Sequence, residues 1–244
     1  GLETFIRKGD RVLIKVNAAF ASPPTLGATT HPDLLAAVAQ SCLLIGAAEV
    51  RVTDNPINAP MGCFQLSGLA EAAGKSGAKL VLPNQGLFKR YSLPGGRLIQ
   101  DWPTLLGPFQ GVTKVVNIAP VKDHHRAGAS MTLKNWYGLL GGQRSVFHQD
   151  INGLISELAR MIKPTLAILD GTTTMMTNGP TGGSLNDLKA TNTLIVATDP
   201  VAADAAGLEL LERRPADIPY ILQAQAAGAG VADYEKLKPA RLTL

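Results

Sequence analysis

The chain has 244 residues, a formal net charge of +4, 45% hydrophobic residues and 17% charged residues. This composition is typical of a folded globular protein and excludes a largely disordered chain, while the length allows one large domain with a substantial core. Lys and Arg are scattered singly and there are only six Phe, four Tyr and two Trp, so a nucleic-acid partner is not expected.

The first half of the sequence predicts strands that alternate with helices. Residues 11–16 predict a first strand, and residues 30–46 predict a helix with Thr30 as its cap and Pro32 in its first turn. Residues 49–53 predict the second strand, and this strand–helix–strand order indicates a right-handed crossover between parallel strands. A helix over 64–73, a strand over 78–82 and a hairpin-like excursion over 88–99 are predicted next.

The second half continues the alternation. Its predicted elements are strands over 112–118, 165–169 and 193–197, and helices over 132–139, 150–162, 201–211 and 218–227. Alternation of this kind favours an α/β fold with a mainly parallel sheet and helices on both faces. No segment is long enough to be a linker, so a single domain over residues 1–244 is expected.

Cysteine content and hydropathy limit the kinds of cofactor and location. The chain has only Cys42 and Cys63, with no CxxC pair, so this segment alone is not expected to hold an all-cysteine iron–sulfur cluster or a structural zinc. A disulfide between them stays open. The longest apolar stretch, 34–50, is too short and mixed to span a membrane. No signal peptide is visible, so we expect a soluble protein that is cytoplasmic, or exported if a leader has been removed.

The stretch VKDHHRAGASMTLKN, residues 121–135, concentrates ionisable and hydrogen-bonding side chains after an apolar strand. Loops at the carboxyl ends of parallel strands commonly bind ligands, so a site is expected here. Lys122, Arg126 and Lys134 suit a carboxylate or phosphate on a small ligand. The alternative interpretation is a solvated basic face.

Polar residues also end other predicted strands, namely Lys15 and Asn17, Asp54 and Asn55, Asp170, and Asp199. Lys15 lies between apolar residues, and a buried lysine needs either a partner or a ligand anion. Each Asp has the alternative role of a helix cap or turn former, which is the preferred interpretation of Asp199 before Pro200.

Histidines offer acid–base chemistry or metal binding. His124 and His125 are adjacent on an extended segment, so only one of them is expected to face the site. His148 follows a glycine-containing loop and can fold back to join it. His124 and His148 with Asp170 or Asp54 would suit a divalent metal by ligand type, although no HExxH spacing is present.

Eight segments in order resemble the domain-of-unknown-function 362 (DUF362) family over about residues 9–231. They are IKVN at 14–17, THP at 30–32, VKDHH at 121–125, TLKNWYGLL at 132–140, His148, KPTLAILDG at 163–171, NGPTGG at 178–183 and ATDPVAADA at 197–205. The positions that match the family's motifs are Lys15, Asn17, Lys122, His124, Lys134, Asn135, His148, Asp170, Asp199 and Asp204.

The resemblance implies an association with redox chemistry, because many family members carry ferredoxin-like cysteine clusters beside this domain and some carry export leaders. This segment has neither feature, so it resembles the stand-alone form without the clusters, or a form whose other parts are absent from this segment. It also departs from the family pattern at Asp123, where a threonine is usual.

These observations lead to a hypothesis about function. The chain is expected to be a single-domain α/β enzyme that acts on a small anionic substrate, with His124, His148 and Lys134 as catalytic residues. Substrate binding is assigned to Lys15, Asn17, Lys122, Asn135, Asp170 and Asp199. In an alternative role, His124 and His148 hold a divalent metal as cofactor.

Two other hypotheses remain open. The first is a non-catalytic metal- or ligand-binding domain that works with an iron–sulfur redox partner. In the second, His124, Lys134 and Asp170 form an internal hydrogen-bonded network that only shapes the fold.

Overall fold

Seven strands form one mixed sheet at the centre of a computed structural model that describes residues 1–243. The strands of this sheet are β1 (Arg11–Lys15), β2 (Glu49–Thr53), β3 (Lys79–Leu80), β6 (Lys114–His124), β7 (Gly128–Ser130), β8 (Leu166–Met175) and β9 (Leu188–Ala197). Their order is β3-β2-β1-β6-β8-β9, with β7 paired to β6. β1, β2, β3, β6 and β8 run parallel, whereas β7 and β9 pair antiparallel with their neighbours. A separate antiparallel pair consists of β4 (Phe88–Tyr91) and β5 (Trp102–Leu105).

Side chains alternate along the central strands between two apolar cores, one on each face of the sheet. On β6, Val116 and Ile118 pack into one core, while Ala119 and Val121 pack into the other. β8 alternates in the same way over residues 166–169. Strands buried on both faces read as continuous apolar runs, and that is how they were recognisable in the sequence.

Helices cover both faces, as predicted. They are α1 (Pro32–Ile45), α2 (Pro60–Leu66), α3 (Leu69–Lys75), α4 (Thr132–Asn135), α5 (Ile151–Met161), α6 (Pro200–Leu210) and α7 (Pro219–Ala226). Residues of α1 to α3 contribute to the core beside β1 and β2, and residues of α4 to α7 to the core on the opposite face. The prediction of an α/β fold with a mainly parallel sheet is therefore confirmed.

Two predicted helix features were wrong in detail. His31, not Thr30, caps α1, and its Nδ1 accepts from the backbone N–H of Asp33. Thr30 instead accepts from the N–H of Asn17 and donates to the carbonyl of Ile118. The helix predicted over 64–73 is two helices, because Gly68 has a φ of +73° and turns the chain between α2 and α3.

Strands at the carboxyl edge are longer than predicted. β6 continues through His124, so the lysine and first histidine of the 121–135 stretch lie on a strand and not in a loop. β8 and β9 are each ten residues long, and their pairing is antiparallel. Beyond the region where β6 and β8 pair in parallel, β6 forms a hairpin with β7, and β8 pairs with β9. These antiparallel pairings supply the hydrogen-bond partners of the longer strands, and local sequence does not reveal the pairings.

Cys42 and Cys63 are both buried and both free thiols. Cys42 packs on α1 among apolar residues of the core. Across residues 1–243, no helix has the length and apolar character needed to cross a membrane.

Candidate functional site

A cavity of about 720 Å³ lies at the carboxyl ends of β1, β2 and β6. Asn17 enters it from the segment after β1, Asp54 and Asn55 from the segment after β2, and Lys122 and His124 from the end of β6. Much of the remaining wall comes from α4, from the residues that follow it, and from the segment Asn178–Gly182. Parallel strands bring these distant polar residues to one edge of the sheet.

Beneath the cavity, Lys15 and Asp54 form a buried ion pair. Lys15 Nζ lies 2.7 Å from Asp54 Oδ1, and the two side chains are 0% and 2% exposed. The same ammonium donates to the carbonyl of Val16 at 2.7 Å and to Asn135 Oδ1 at 3.1 Å. Its three protons are thus used within the protein, although burial lowers the pKa of Lys15.

Asp54 is held equally firmly. Its Oδ2 accepts from the N–H of Ala18 at 2.7 Å, and its Oδ1 accepts from the N–H of Asn55 at 2.8 Å as well as from Lys15. Gly138 packs against the pair, and a Cβ added there would overlap Asp54 Oδ1 and lie 3.0 Å from Lys15 Nζ. A glycine is therefore required at this close approach.

Three further cationic side chains line the cavity above the ion pair. Lys122 is buried, donates to the carbonyl of Ala28 at 2.5 Å and lies over the ring of Phe20. Burial and the nearby Lys134 charge lower the pKa of Lys122 to about 7. Arg144 donates to loop carbonyls, including those of Asn55 and Pro56 at 2.9 and 3.0 Å.

Of the cations in the cavity, Lys134 has the fewest contacts that offset its charge. Its ammonium lies 5.3 Å from the centre of the Tyr137 ring and, within residues 1–243, makes no ion pair or hydrogen bond. Burial and the Arg144 charge lower its pKa to about 8. With Asp54 committed to Lys15, the cavity holds an excess of positive charge, in which each cation disfavours the charged form of its neighbours.

His124 is fixed in one tautomer by its backbone neighbours. Its Nδ1 accepts from the N–H groups of Arg126 and Ala127, both at 3.1 Å. Nδ1 must therefore carry the lone pair, so the hydrogen of the neutral ring resides on Nε2. Burial and the Lys134 charge lower the pKa of His124 to about 2, which leaves it a neutral hydrogen-bond donor at physiological pH.

His148 has the opposite tautomer. Its Nδ1 lies 3.1 Å from the carbonyl of Ser145, which can only accept, and 3.3 Å from the hydroxyl of Tyr137, which itself donates to the carbonyl of Arg144. The hydrogen is therefore on Nδ1, and Nε2 keeps its lone pair in a ring that lines the cavity. Burial lowers the pKa of His148, so the ring is unprotonated near neutral pH and can accept a proton.

The expectation that only one of the adjacent histidines faces the site is wrong. His124 and His125 both line the cavity, and their rings stack with centroids 4.9 Å apart. β6 ends at His124, so the alternation of a strand does not extend to His125. His125 Nδ1 lies 3.3 Å from the carbonyl of Gly179, on the segment that forms one wall.

The contacts of His124 and His148 determine which of their ring nitrogens could bind a metal. A zinc or similar ion needs a ring nitrogen with a free lone pair, and His124 has its lone pair engaged by two backbone N–H groups. Within residues 1–243, no group of three or more His, Cys, Asp or Glu side chains is arranged to hold an ion. In these tautomers His148 Nε2 is the one ring nitrogen of the pair with a free lone pair, and a metal held by both histidines stays a prediction.

Six of the predicted site residues meet in this cavity: Asn17, Lys122, His124, Lys134, Asn135 and His148. Lys15 lies below it and contacts the lining residues Asn135 and Asp54.

Asp170 and Asp199 lie elsewhere. Asp170 lines a separate cavity of about 120 Å³, where its Oδ1 accepts from the N–H and hydroxyl of Thr172. Asp199 caps α6 by accepting from the N–H groups of Val201 and Ala202. Because Asp170 contacts neither His124 nor Lys134, these three do not form one internal network. A role for Asp170 or Asp199 in substrate binding stays a prediction.

The prediction missed Arg144, Tyr137 and the anchoring role of Asp123. Asp123 points away from the cavity, pairs with Arg213 at 2.7 Å and accepts from the N–H of Gly179 at 3.0 Å. It thereby fixes the wall segment beside His125. Alternation on β6 between Lys122, Asp123 and His124 was the signal that could have placed Asp123 on the opposite side.

Comparison with known proteins finds a matching family and a relative. The family model described as "Domain of unknown function (DUF362)" matches residues 12–209, a range that includes every residue lining the cavity. A thylakoid-associated protein of Synechocystis sp. is 26% identical over 241 residues, covering 93% of this chain and 71% of the relative.

Proposed function

The chain belongs to the DUF362 family, and we propose that it is an enzyme whose cationic cavity binds a small anionic substrate, a carboxylate or a phosphate. The observation that carries the proposal is the ammonium of Lys134, which lines the cavity and has no acceptor among the described residues. Lys134 is partly buried and lies beside Lys122 and Arg144, and a ligand anion offsets the repulsion among these like charges.

Neighbouring groups give the anion a defined position. Lys122 and Arg144 line the same cavity, and both already donate to backbone carbonyls that fix their orientation. An anion bound against Lys134 therefore meets preorganised charge, which costs little reorganisation.

The two histidines supply complementary proton chemistry. His148 accepts a proton at Nε2, and His124 offers the hydrogen on its own Nε2 to an oxygen that gains negative charge. A neutral histidine held as a donor by depression of its pKa is an established way to stabilise an oxyanion. The proposed reaction class is proton transfer on an anionic substrate, with His148 as the base.

Binding is tested by calorimetric titration with sulfate and with succinate, using the Lys134→Met variant. One charge-assisted hydrogen bond is worth about 1.5–3 kcal/mol, so the variant is expected to bind about ten- to a hundredfold more weakly. Lys163→Met is the matched control, because Lys163 is exposed and does not line the cavity. Equal affinities of the wild type and Lys134→Met would overturn the proposal.

Catalysis needs a separate test. A proton-transfer enzyme exchanges a substrate hydrogen with solvent, so incubation of bound carboxylates in D₂O followed by NMR is expected to reveal exchange that His148→Ala abolishes. Anion binding without any exchange or turnover would instead favour the non-catalytic alternative, a ligand-binding domain that works with a redox partner. Elemental analysis of the purified protein tests the divalent-metal prediction independently.

A further inference from the structure

The orientation of three side-chain amides beneath the cavity is fixed by Lys15. The ammonium of Lys15 can only donate, so the atom of Asn135 that lies 3.1 Å from it must be the oxygen. Asn135 Nδ2 accordingly donates to Asn117 Oδ1 at 2.7 Å, and Asn117 Nδ2 donates to the carbonyl of Thr132 at 2.9 Å. Flipping any side-chain amide in this series of hydrogen bonds would break the hydrogen bond to the next amide.

The same constraint determines Asn17. It lies 3.2 Å from Asn135 Oδ1, which is an acceptor, so Asn17 must present its Nδ2 there. Its own Oδ1 is consequently left without a donor among residues 1–243, in a side chain that is 8% exposed and lines the cavity. An acceptor that is buried and unpaired is unfavourable, and a ligand or an ordered water can supply the missing donor.

We propose that the substrate carries a neutral hydroxyl group beside its anionic group, and that this hydroxyl donates its hydrogen to Asn17 Oδ1. This inference rests on the proposed anion-binding function and specifies its substrate class as hydroxycarboxylates or hydroxyalkyl phosphates. An ammonium donor is disfavoured, because Lys122, Lys134 and Arg144 make the cavity strongly cationic. Asn17 is then a specificity residue that distinguishes a hydroxylated anion from its deoxy analogue.

The test uses ligand pairs that differ by one hydroxyl: L-malate with succinate, and 2-hydroxypropyl phosphate with propyl phosphate. Calorimetric titration of the wild type is expected to give at least about threefold tighter binding of the hydroxylated member in one pair or both, the effect of one neutral hydrogen bond. Asn17→Leu keeps the size of the side chain but removes the acceptor, so the ratio of the two affinities is expected to fall to about one.

Lys134→Met provides the contrast, since it is expected to weaken both members of a pair by the same factor. A wild type that binds both members equally would overturn the inference and leave the anion site intact. A preference that survives in Asn17→Leu would also overturn it, because the hydroxyl would then be recognised by another group. Failure of all four ligands to bind would refute the proposed anion site and this inference with it.

If Asn17→Leu does not fold, the wild-type ratios still decide the substrate class, and Asn17→Ser gives a shorter side chain for the second comparison. A return of the preference in Asn17→Gln, whose amide offers the same acceptor, would assign the effect to the carbonyl oxygen and not to cavity size.

Discussion

Anion binding to this cavity is expected to be coupled to proton uptake. In the free protein, pKa values of about 7 for Lys122 and about 8 for Lys134 leave the first roughly one-quarter protonated and the second roughly three-quarters protonated at pH 7.5. A bound anion favours the charged form of both and raises their pKa values. Binding at pH 7.5 should therefore draw in about one proton per site.

Calorimetric titration with sulfate measures this uptake, because the charge of sulfate does not change near neutral pH. Binding enthalpies recorded in HEPES and in Tris at pH 7.5 differ by the uptake multiplied by the difference in buffer ionisation enthalpy. In Lys134→Met the uptake should fall to roughly three-quarters of a proton, the share expected of Lys122 alone. Lys163→Met should behave as the wild type.

The direction of the pH dependence follows from the sign of the shifts. Below pH 7 both ammonium groups are largely charged before binding, so affinity is greatest there and falls as the pH rises through 7 and 8. If both charges are required, the dissociation constant should rise roughly a hundredfold between pH 6.5 and 8.5. Proton release on binding, or affinity that increases with pH, would refute the reasoning.

Three further predictions concern the scaffold of the site. Lys15→Met leaves the buried carboxylate of Asp54 without its cation, so the free energy of unfolding measured in urea should fall by about 3–5 kcal/mol. If the double variant Lys15→Met/Asp54→Asn loses the sum of the two single-variant losses, the two residues are not directly coupled. The Cβ of Gly138→Ala would overlap Asp54 Oδ1, so this variant should bind sulfate more weakly. The Cβ of Gly62→Ala meets no atom within 4 Å, so this control should bind sulfate as the wild type does, and equal weakening in both variants would contradict the close approach. Burial raises the pKa of Asp204 to about 7, so its contribution to stability is full below about pH 4 and lost as the pH rises through 7. Thermal melts of Asp204→Asn should show a weaker decline over that range, and an unchanged decline would exclude Asp204 as its source.

Much of the fold could be predicted from local sequence, because burial on both faces of a parallel strand leaves a continuous apolar run. β2 has the predicted bounds, and β1 ends one residue earlier than predicted. The antiparallel pairing of β9 with β8 could not be predicted, since the residues of β9 have the pattern of any half-buried strand. The direction of β9 depends on the path of the segment that connects it to β8.

The candidate site shows the same division. The density of charge around Lys122 and Lys134 marked a site in advance, and both line the cavity. Asp170 and Asp199 carried the same strand-end signal, yet one lines a different cavity and the other caps a helix. Sequence position gives the edge of a sheet on which a side chain lies, but not the direction in which it points.

The sequence by itself determined the α/β alternation, the family and the stretch richest in chemistry, because periodicity and composition are local properties. Only the tertiary structure decided that Lys15 is neutralised by Asp54 while Lys134 is not, and that the two histidines of the cavity hold opposite tautomers. Those outcomes depend on which donors and acceptors meet across the sheet edge. Such contacts are set by strand register and packing between residues far apart in the chain.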